Sequence, residues 1–85
     1  MDSIAFYEKF TAYVKELNTS KDIAAIEPQD NLFELGYVDS MNMVNIIMFL
    51  EELRGEEIAL EKYELRTFYT MESMYQELLA VKLGK

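Results

Sequence analysis

The spacing of apolar residues is the feature that most limits what this 85-residue chain can fold into. Apolar side chains recur every three or four residues in three segments, which is the period of an amphipathic helix rather than a strand. The pattern predicts long helices over residues 3–18, 40–53 and 71–83, and one short helical turn over residues 61–66. The apolar stripes are Tyr7, Phe10, Val14 and Leu17 on the first helix and Met41, Val44, Ile47 or Met48, and Leu50 on the second. Met43, Ile46 and Phe49 widen the second stripe nearly around the helix, so that helix is either central to the core or carries an exposed apolar surface. On the last helix, the residues expected to face inward are Met71, Met74 or Tyr75, Leu78, and Leu79 or Val81.

Residues that favour helix ends stand at the boundaries of these segments. Ser3, Asp39 and Thr70 precede or begin the three long helices, and short polar side chains at that position accept hydrogen bonds from the first backbone N–H groups. Asn18 and Gly55 stand where the first two helices are expected to stop. The boundaries therefore agree with the periodicity.

The predicted fold class is all-α, a small four-helix bundle of three long helices and one short helix. Residues 19–38 do not sustain a helical pattern and contain the only proline of the chain. They predict a long loop between helices 1 and 2, and its apolar residues Leu32, Phe33 and Leu35 are expected to pack it onto the core. The length suits a single domain over residues 1–85.

The chain contains no histidine and no cysteine. A Ser-His-Asp triad, a Cys-His dyad and the usual zinc sites are therefore excluded, and we expect no bound metal. No other set of side chains forms a recognisable catalytic pattern. We therefore expect a protein that is not an enzyme.

Acidic residues dominate the middle of the sequence. The net charge is −8, and residues 27–61 hold nine of the sixteen acidic residues but one of the eight basic ones, Arg54. This balance argues against binding nucleic acid through its phosphates. It fits either a solvated surface or a surface that docks basic partners.

Neither a membrane span nor a signal peptide is expected. The longest apolar run is the five residues 46–50, whereas a spanning helix needs about 20. The first residues, Met1, Asp2 and Ser3, lack a basic start. We therefore expect a monomeric protein of the cytoplasm without a membrane partner.

The most informative stretch is residues 32–41, LFELGYVDSM, in which a glycine is followed by Asp39 and Ser40 at the predicted start of an apolar helix. This stretch resembles the attachment motif of acyl and peptidyl carrier proteins, Gly-x-x-Asp-Ser-Leu/Met. The order of helices, the length and the acidity are similar to that family over nearly the whole chain. An Asp-Ser pair alone carries little weight, because such pairs begin many ordinary helices.

The resemblance implies that Ser40 carries 4′-phosphopantetheine, bound covalently and taken from coenzyme A by a phosphopantetheinyl transferase with Mg²⁺. Asp39 would cap the helix and help the transferase recognise the site. The first turn of the helix, with its unpaired N–H groups, would suit the phosphate. The cargo would be held as a thioester, and the further partners would be an acyl- or aminoacyl-loading enzyme and downstream acyl-processing enzymes.

The resemblance also indicates a docking face on the second helix, and there the chain departs from one branch of the family. Many carriers of fatty acid synthesis have acids just after the serine, whereas this chain has asparagines and methionines. We therefore expect a stand-alone carrier of a specialised polyketide or nonribosomal-peptide type. The alternatives are a housekeeping fatty-acid carrier and an unmodified acidic helical interaction module. The expected docking residues are Met41, Asn42, Asn45, Met48, Glu51 and Glu52.

Overall fold

The computed structural model describes residues 2–80, and the part it describes is helical without strands. Helix α1 spans Ser3–Leu17 and helix α2 spans Met43–Arg54. Two short 3₁₀ helices follow at Leu60–Lys62 and Leu65–Phe68. Helix α3 spans Met71–Met74 and continues as a π-helix over Tyr75–Ala80. The all-α class is confirmed, while two 3₁₀ helices stand where one short helical turn was predicted. Residues 81–83 of the predicted last helix, including Val81, lie outside the described residues.

The helix ends follow the predicted chemistry with two shifts. Asp2, not Ser3, caps α1, because its carboxylate accepts a hydrogen bond from the N–H of Ala5 at 2.8 Å. Thr70 caps α3 as predicted, with its hydroxyl oxygen accepting from the N–H of Ser73 at 3.1 Å. Gly55 ends α2 with φ at 82°, a left-handed conformation that favours glycine. Helix α2 begins at Met43, three residues later than the sequence pattern predicted.

The core lies where α1, α2 and α3 with its π-helical continuation meet. Phe10 and Val14 of the predicted α1 stripe are buried, and Phe6 joins them. Of the apolar stripe predicted for the second helix, Leu50 is buried, whereas Met41 and Val44 are 89% and 62% exposed, so this helix carries an exposed apolar surface as well as a core face. A helix that is apolar on most sides offers two faces, and its periodicity alone does not decide which is buried. The remaining fully buried side chains from helical segments are Ile46, Leu50, Met71, Met74, Leu78 and Leu79.

The segment between α1 and α2 is fastened to the core by apolar side chains and by backbone hydrogen bonds. Leu32 is fully buried as predicted, and its N–H donates to the carbonyl oxygen of Tyr69 at 2.7 Å. Phe33 packs partly against the core, whereas Leu35 is exposed, so its predicted role as an anchor is wrong. The anchors that the sequence analysis missed are Ile23, Ile26 and Val38, all buried. This packing fixes the chain directly ahead of Ser40.

Candidate functional site

Ser40 lies in an exposed turn that leads into α2. Its side chain is exposed, and the helix proper begins three residues later at Met43. Within residues 2–80, no hydrogen bond involves the Ser40 hydroxyl. The hydroxyl is therefore accessible, and none of the described residues engages it.

Asp39 shapes the turn that presents Ser40. Its Oδ1 atom accepts hydrogen bonds from the N–H groups of Met41 at 2.9 Å and Asn42 at 3.0 Å. In return, Oδ1 of Asn42 accepts from the N–H of Asp39 at 2.9 Å. This reciprocal pair has the form of a capping box with asparagine in the third position. Asp39 thus caps the turn over residues 40–42 and not α2 itself. Helix α2 begins after Asn42, whose side chain makes no capping hydrogen bond to the helix.

The same hydrogen bonds change the expected surroundings of a phosphate on Ser40. The sequence analysis assigned it to unpaired N–H groups at the start of the helix. In the structure, the N–H groups of Met41 and Asn42 already donate to Asp39. The carboxylate of Asp39 therefore occupies two of the donors that an anion at this position would use.

The backbone ahead of the turn is held at three successive residues. The carbonyl oxygen of Gly36 accepts from Nζ of Lys21 at 2.7 Å. The N–H groups of Tyr37 and Val38 both donate to the carbonyl oxygen of Leu32, at 3.0 and 3.2 Å. Gly36 has φ at 79°, in the left-handed region, so a larger residue at this position would be strained.

Two asparagines converge on the next carbonyl. The oxygen of Tyr37 accepts from Nδ2 of Asn18 at 3.0 Å and from Nδ2 of Asn42 at 3.1 Å. Sequence reasoning assigned Asn18 to the end of α1 and gave Lys21 no role. No sequence signal could have paired Asn18 with a backbone oxygen 19 residues further along the chain.

The exposed side of α2 and its leading turn carries an apolar patch that we define by Met41, Val44 and Met48. These side chains are 89%, 62% and 60% exposed. Val44 and Met48, four residues apart, lie on one face of α2, and Met41 precedes them in the turn. Val44 is the member that was not among the expected docking residues.

The other expected docking residues divide into two groups. Asn45 and Glu52 are exposed, beside the apolar patch. Asn42 is half-buried, and its amide is used by Asp39 and Tyr37. Glu51 is also half-buried, and its Oε2 atom accepts from the N–H of Ile58 at 2.9 Å. The side chains of Asn42 and Glu51 thus serve the fold.

An apolar cleft of about 250 Å³ lies on the other flank of α2. Met43 and Ile47 of α2 form one wall, and Tyr63, Leu65 and Phe68 form the other. Its volume suits a small apolar group. Within the described part of the chain, no cluster of acidic side chains is arranged to hold a metal ion, and no helix is long and apolar enough to span a bilayer.

Ser40 thus stands in an exposed turn directly ahead of α2. A family model described as the phosphopantetheine attachment site matches residues 10–74, which include Ser40 and the turn around it. The chain belongs to this family of phosphopantetheine-binding carrier domains. No curated protein and no solved structure matched the chain.

The family defines the prosthetic group and the class of partner. Its domains carry a covalently attached 4′-phosphopantetheine group and are themselves not catalysts. They interact in general with phosphopantetheinyl transferases and acyl-processing enzymes. The residues present fit the group, because the Ser40 hydroxyl is exposed, makes no hydrogen bond within residues 2–80 and is open to attachment.

Proposed function

We propose that Ser40 is the attachment residue and that the protein is an acyl carrier of a specialised biosynthetic pathway, of the polyketide or nonribosomal-peptide type. The observation that carries the assignment is the exposed hydroxyl of Ser40, which makes no hydrogen bond within the described residues and stands in a turn shaped by Asp39. We also interpret the two 3₁₀ helices as the short helix of a four-helix carrier bundle.

The chain supplies the acceptor oxygen, and a partner supplies the catalysis. Ser40 Oγ forms a new bond to the phosphorus that carries the pantetheine arm of coenzyme A, the pyrophosphate bond of coenzyme A breaks, and adenosine 3′,5′-bisphosphate leaves. The proton of the Ser40 hydroxyl must go to a base. The chain has no histidine, and Oδ1 of Asp39 is committed to two N–H groups. We therefore assign the base and the Mg²⁺ to the phosphopantetheinyl transferase. When bound, the arm supplies the terminal thiol that holds the cargo as a thioester.

The apolar patch of Met41, Val44 and Met48 is the surface we assign to partner enzymes, because any enzyme that acts at Ser40 must approach beside it. Asn45 and Glu52 extend this surface, while Asn42 and Glu51 support it through their internal hydrogen bonds. Exposed methionines adapt their shape to different partners. The partners would be the transferase, a loading enzyme and downstream acyl-processing enzymes.

The apolar character of this surface favours a specialised pathway over the runner-up, a housekeeping carrier of fatty acid synthesis. Two asparagines and two methionines follow Ser40 where the acidic face of such carriers would stand. The exposed apolar patch is also compatible with a second candidate function, that of an unmodified interaction module that binds a partner through α2.

The cleft beside α2 supports a cargo with a small apolar portion. Loading the arm with an aryl or short acyl thioester should then shift the methyl resonances of Met43 and Ile47 relative to the arm with a bare thiol. Unchanged resonances would place the cargo in solvent.

The attachment is tested by intact-mass spectrometry after incubation with coenzyme A, Mg²⁺ and a promiscuous phosphopantetheinyl transferase. We expect the mass of one phosphopantetheine group to be added to the parent chain and none to be added to Ser40→Ala. Ser20→Ala is the matched control, because Ser20 is also an exposed serine and lies outside the turn of Ser40. A parent chain that gains no mass would favour the interaction module.

A further inference from the structure

The carbonyl of Tyr37 is the point where the end of α1 meets the turn of Ser40. Nδ2 of Asn18 and Nδ2 of Asn42 both donate to this oxygen, at 3.0 and 3.1 Å. A carbonyl oxygen has two lone pairs, so both are used here. The two asparagines come from opposite sides, one from the end of α1 and one from the start of α2.

Asn18 is itself fixed to α1 by further hydrogen bonds. Its backbone N–H donates to the carbonyl oxygens of Val14 and Lys15, at 3.1 and 3.3 Å. Its Nδ2 atom also donates to Val14 at 2.9 Å. The single amide group of Asn18 therefore uses one hydrogen to close α1 and one to hold Tyr37.

The chain from Tyr37 to Ser40 has little freedom left. Val38 is buried, and the N–H of Asp39 donates to Oδ1 of Asn42. The same Asn42 side chain donates through Nδ2 to the Tyr37 oxygen, which also accepts from Asn18. A shift of the Tyr37 carbonyl would thus move Asn42 and, through it, Asp39 and the turn. The position of the Ser40 hydroxyl relative to α1 depends on this carbonyl.

We propose that Asn18 is a positioning residue for modification of Ser40, acting through the Tyr37 carbonyl on the turn of Asp39 and Ser40. The inference rests on Ser40 being the attachment residue. A transferase must meet the hydroxyl and the face of α2 in one geometry, and ordering a loosened turn at that moment costs free energy. Loss of the Asn18 amide would therefore slow transfer even in chains that remain folded.

The test measures transferase kinetics on Asn18→Ala and Asn18→Asp with coenzyme A. The aspartate variant keeps the shape of the side chain but has no N–H group to donate to Tyr37. We expect kcat/KM for the carrier to fall about fivefold to tenfold in both variants, the loss of a hydrogen bond of ordinary strength. Circular dichroism at the assay temperature confirms that each chain is folded.

Asn31→Ala is the matched control. Oδ1 of Asn31 accepts from the N–H groups of Phe33 and Glu34, both at 3.0 Å, so this variant loses two hydrogen bonds in the same connecting segment but none at residues 37–39. We expect its kcat/KM to stay within about twofold of the parent value, because no bond to the turn is lost. An equal loss in Asn31→Ala would reduce Asn18 to a merely structural role.

Hydrogen exchange of the Asp39 and Met41 amides gives a readout that does not depend on the transferase. Both amides donate within the turn, and we expect them to exchange about fivefold faster in Asn18→Ala than in the parent chain. The amide of Gly55, which donates to the carbonyl oxygen of Glu51 at the far end of α2, should keep its rate. Unchanged exchange at Asp39 and Met41 would overturn the inference.

The two proposals fail in different ways. A parent chain that gains no phosphopantetheine refutes the attachment at Ser40 and, with it, the role of Asn18 in modification. A parent chain that is modified at Ser40, together with an Asn18→Ala chain that keeps the parental kcat/KM, refutes the positioning role alone.

Discussion

The chain contains two Asp-Ser pairs, Asp2-Ser3 and Asp39-Ser40, whose local structures differ. Asp2 accepts from Ala5 and α1 begins directly at Ser3, whose side chain is half-buried. Asp39 accepts from Met41 and Asn42, and α2 begins three residues after Ser40. Ser3 is therefore part of a helix, whereas Ser40 stands in an exposed turn ahead of one.

The comparison shows that the dipeptide does not make the site. Both aspartates cap the residues that follow them, so capping is common to the two pairs. What sets the second pair apart is the extra turn, closed by Asn42 and held from behind by the Tyr37 carbonyl. Asp2-Ser3 therefore serves as the internal control for Asp39-Ser40.

The largest effect is expected from removing the Ser40 hydroxyl. In Ser40→Ala, Asp2-Ser3 is the only Asp-Ser pair left in the chain. We expect modification to be lost completely, because Ser3 is built into the first turn of α1. Peptide mapping by mass spectrometry after incubation with coenzyme A and transferase checks this. Phosphopantetheine found on Ser3 would break the comparison.

Removing each aspartate separates capping from recognition. Either Asp39→Ala or Asp2→Ala should lower the free energy of unfolding by about 1 kcal/mol, the usual loss for a helix-capping side chain. The kcat/KM of the transferase should fall about tenfold in Asp39→Ala, a change of about 1.4 kcal/mol in the barrier, and stay at the parental value in Asp2→Ala. Stopped assays on chains shown to be folded give both numbers. Equal rates for Asp39→Ala and the parent chain would refute the recognition role.

A smaller effect is expected from the apolar residue that follows each pair. Met41 is 89% exposed and Ile4 is 68% exposed, so neither contributes much to the core. Met41→Ser should raise the KM for the transferase about fivefold, close to 1 kcal/mol of lost apolar contact, and leave kcat unchanged. Ile4→Ser should change neither constant. A KM that responds equally to both variants would mean that docking is not confined to the face beside Ser40.

The sequence was sufficient for the helical class and for the cap at Thr70, and its resemblance to carrier proteins agrees with the family that matches residues 10–74. The period of the apolar residues and the side chains that favour helix ends depend on neighbouring residues only. Such local preferences agree with the folded structure. The chemistry of a short polar residue ahead of a helix was also right in kind at Asp39, although the helix it was expected to cap begins one turn later.

The features that the sequence left open or missed depend on residues far apart in the chain. Helix α2 is apolar nearly all round, so only its packing against α1 and α3 decides that Ile46 is buried and Val44 exposed. The hydrogen bonds of Asn18 and Lys21 reach 19 and 15 residues along the chain, to the carbonyls of Tyr37 and Gly36. A side chain that looks like an ordinary helix end gives no sign of such a partner.

The smallest effect is expected from raising the salt concentration. Its size shows whether the acidic or the apolar residues of the docking surface contribute more to binding the transferase. Raising the ionic strength from about 0.1 M to about 1 M shortens the Debye length from about 10 Å to about 3 Å, which screens exposed charges but not apolar contacts. Exposed ion pairs are worth about 1 kcal/mol or less, so the KM for the transferase should rise by about twofold, less than in Met41→Ser.

Glu52→Gln should remove part of the salt dependence of this KM, because Glu52 is exposed beside the apolar patch. Glu8→Gln is the control, because Glu8 is also an exposed acid but lies on α1, and it should leave the salt dependence unchanged. A KM that is constant between the two ionic strengths would mean that Met41, Val44 and Met48 dock the partner without help from the acids. A rise greater than that in Met41→Ser would reverse the order. The acidic middle segment would then be the main docking determinant, as in the runner-up role in fatty acid synthesis.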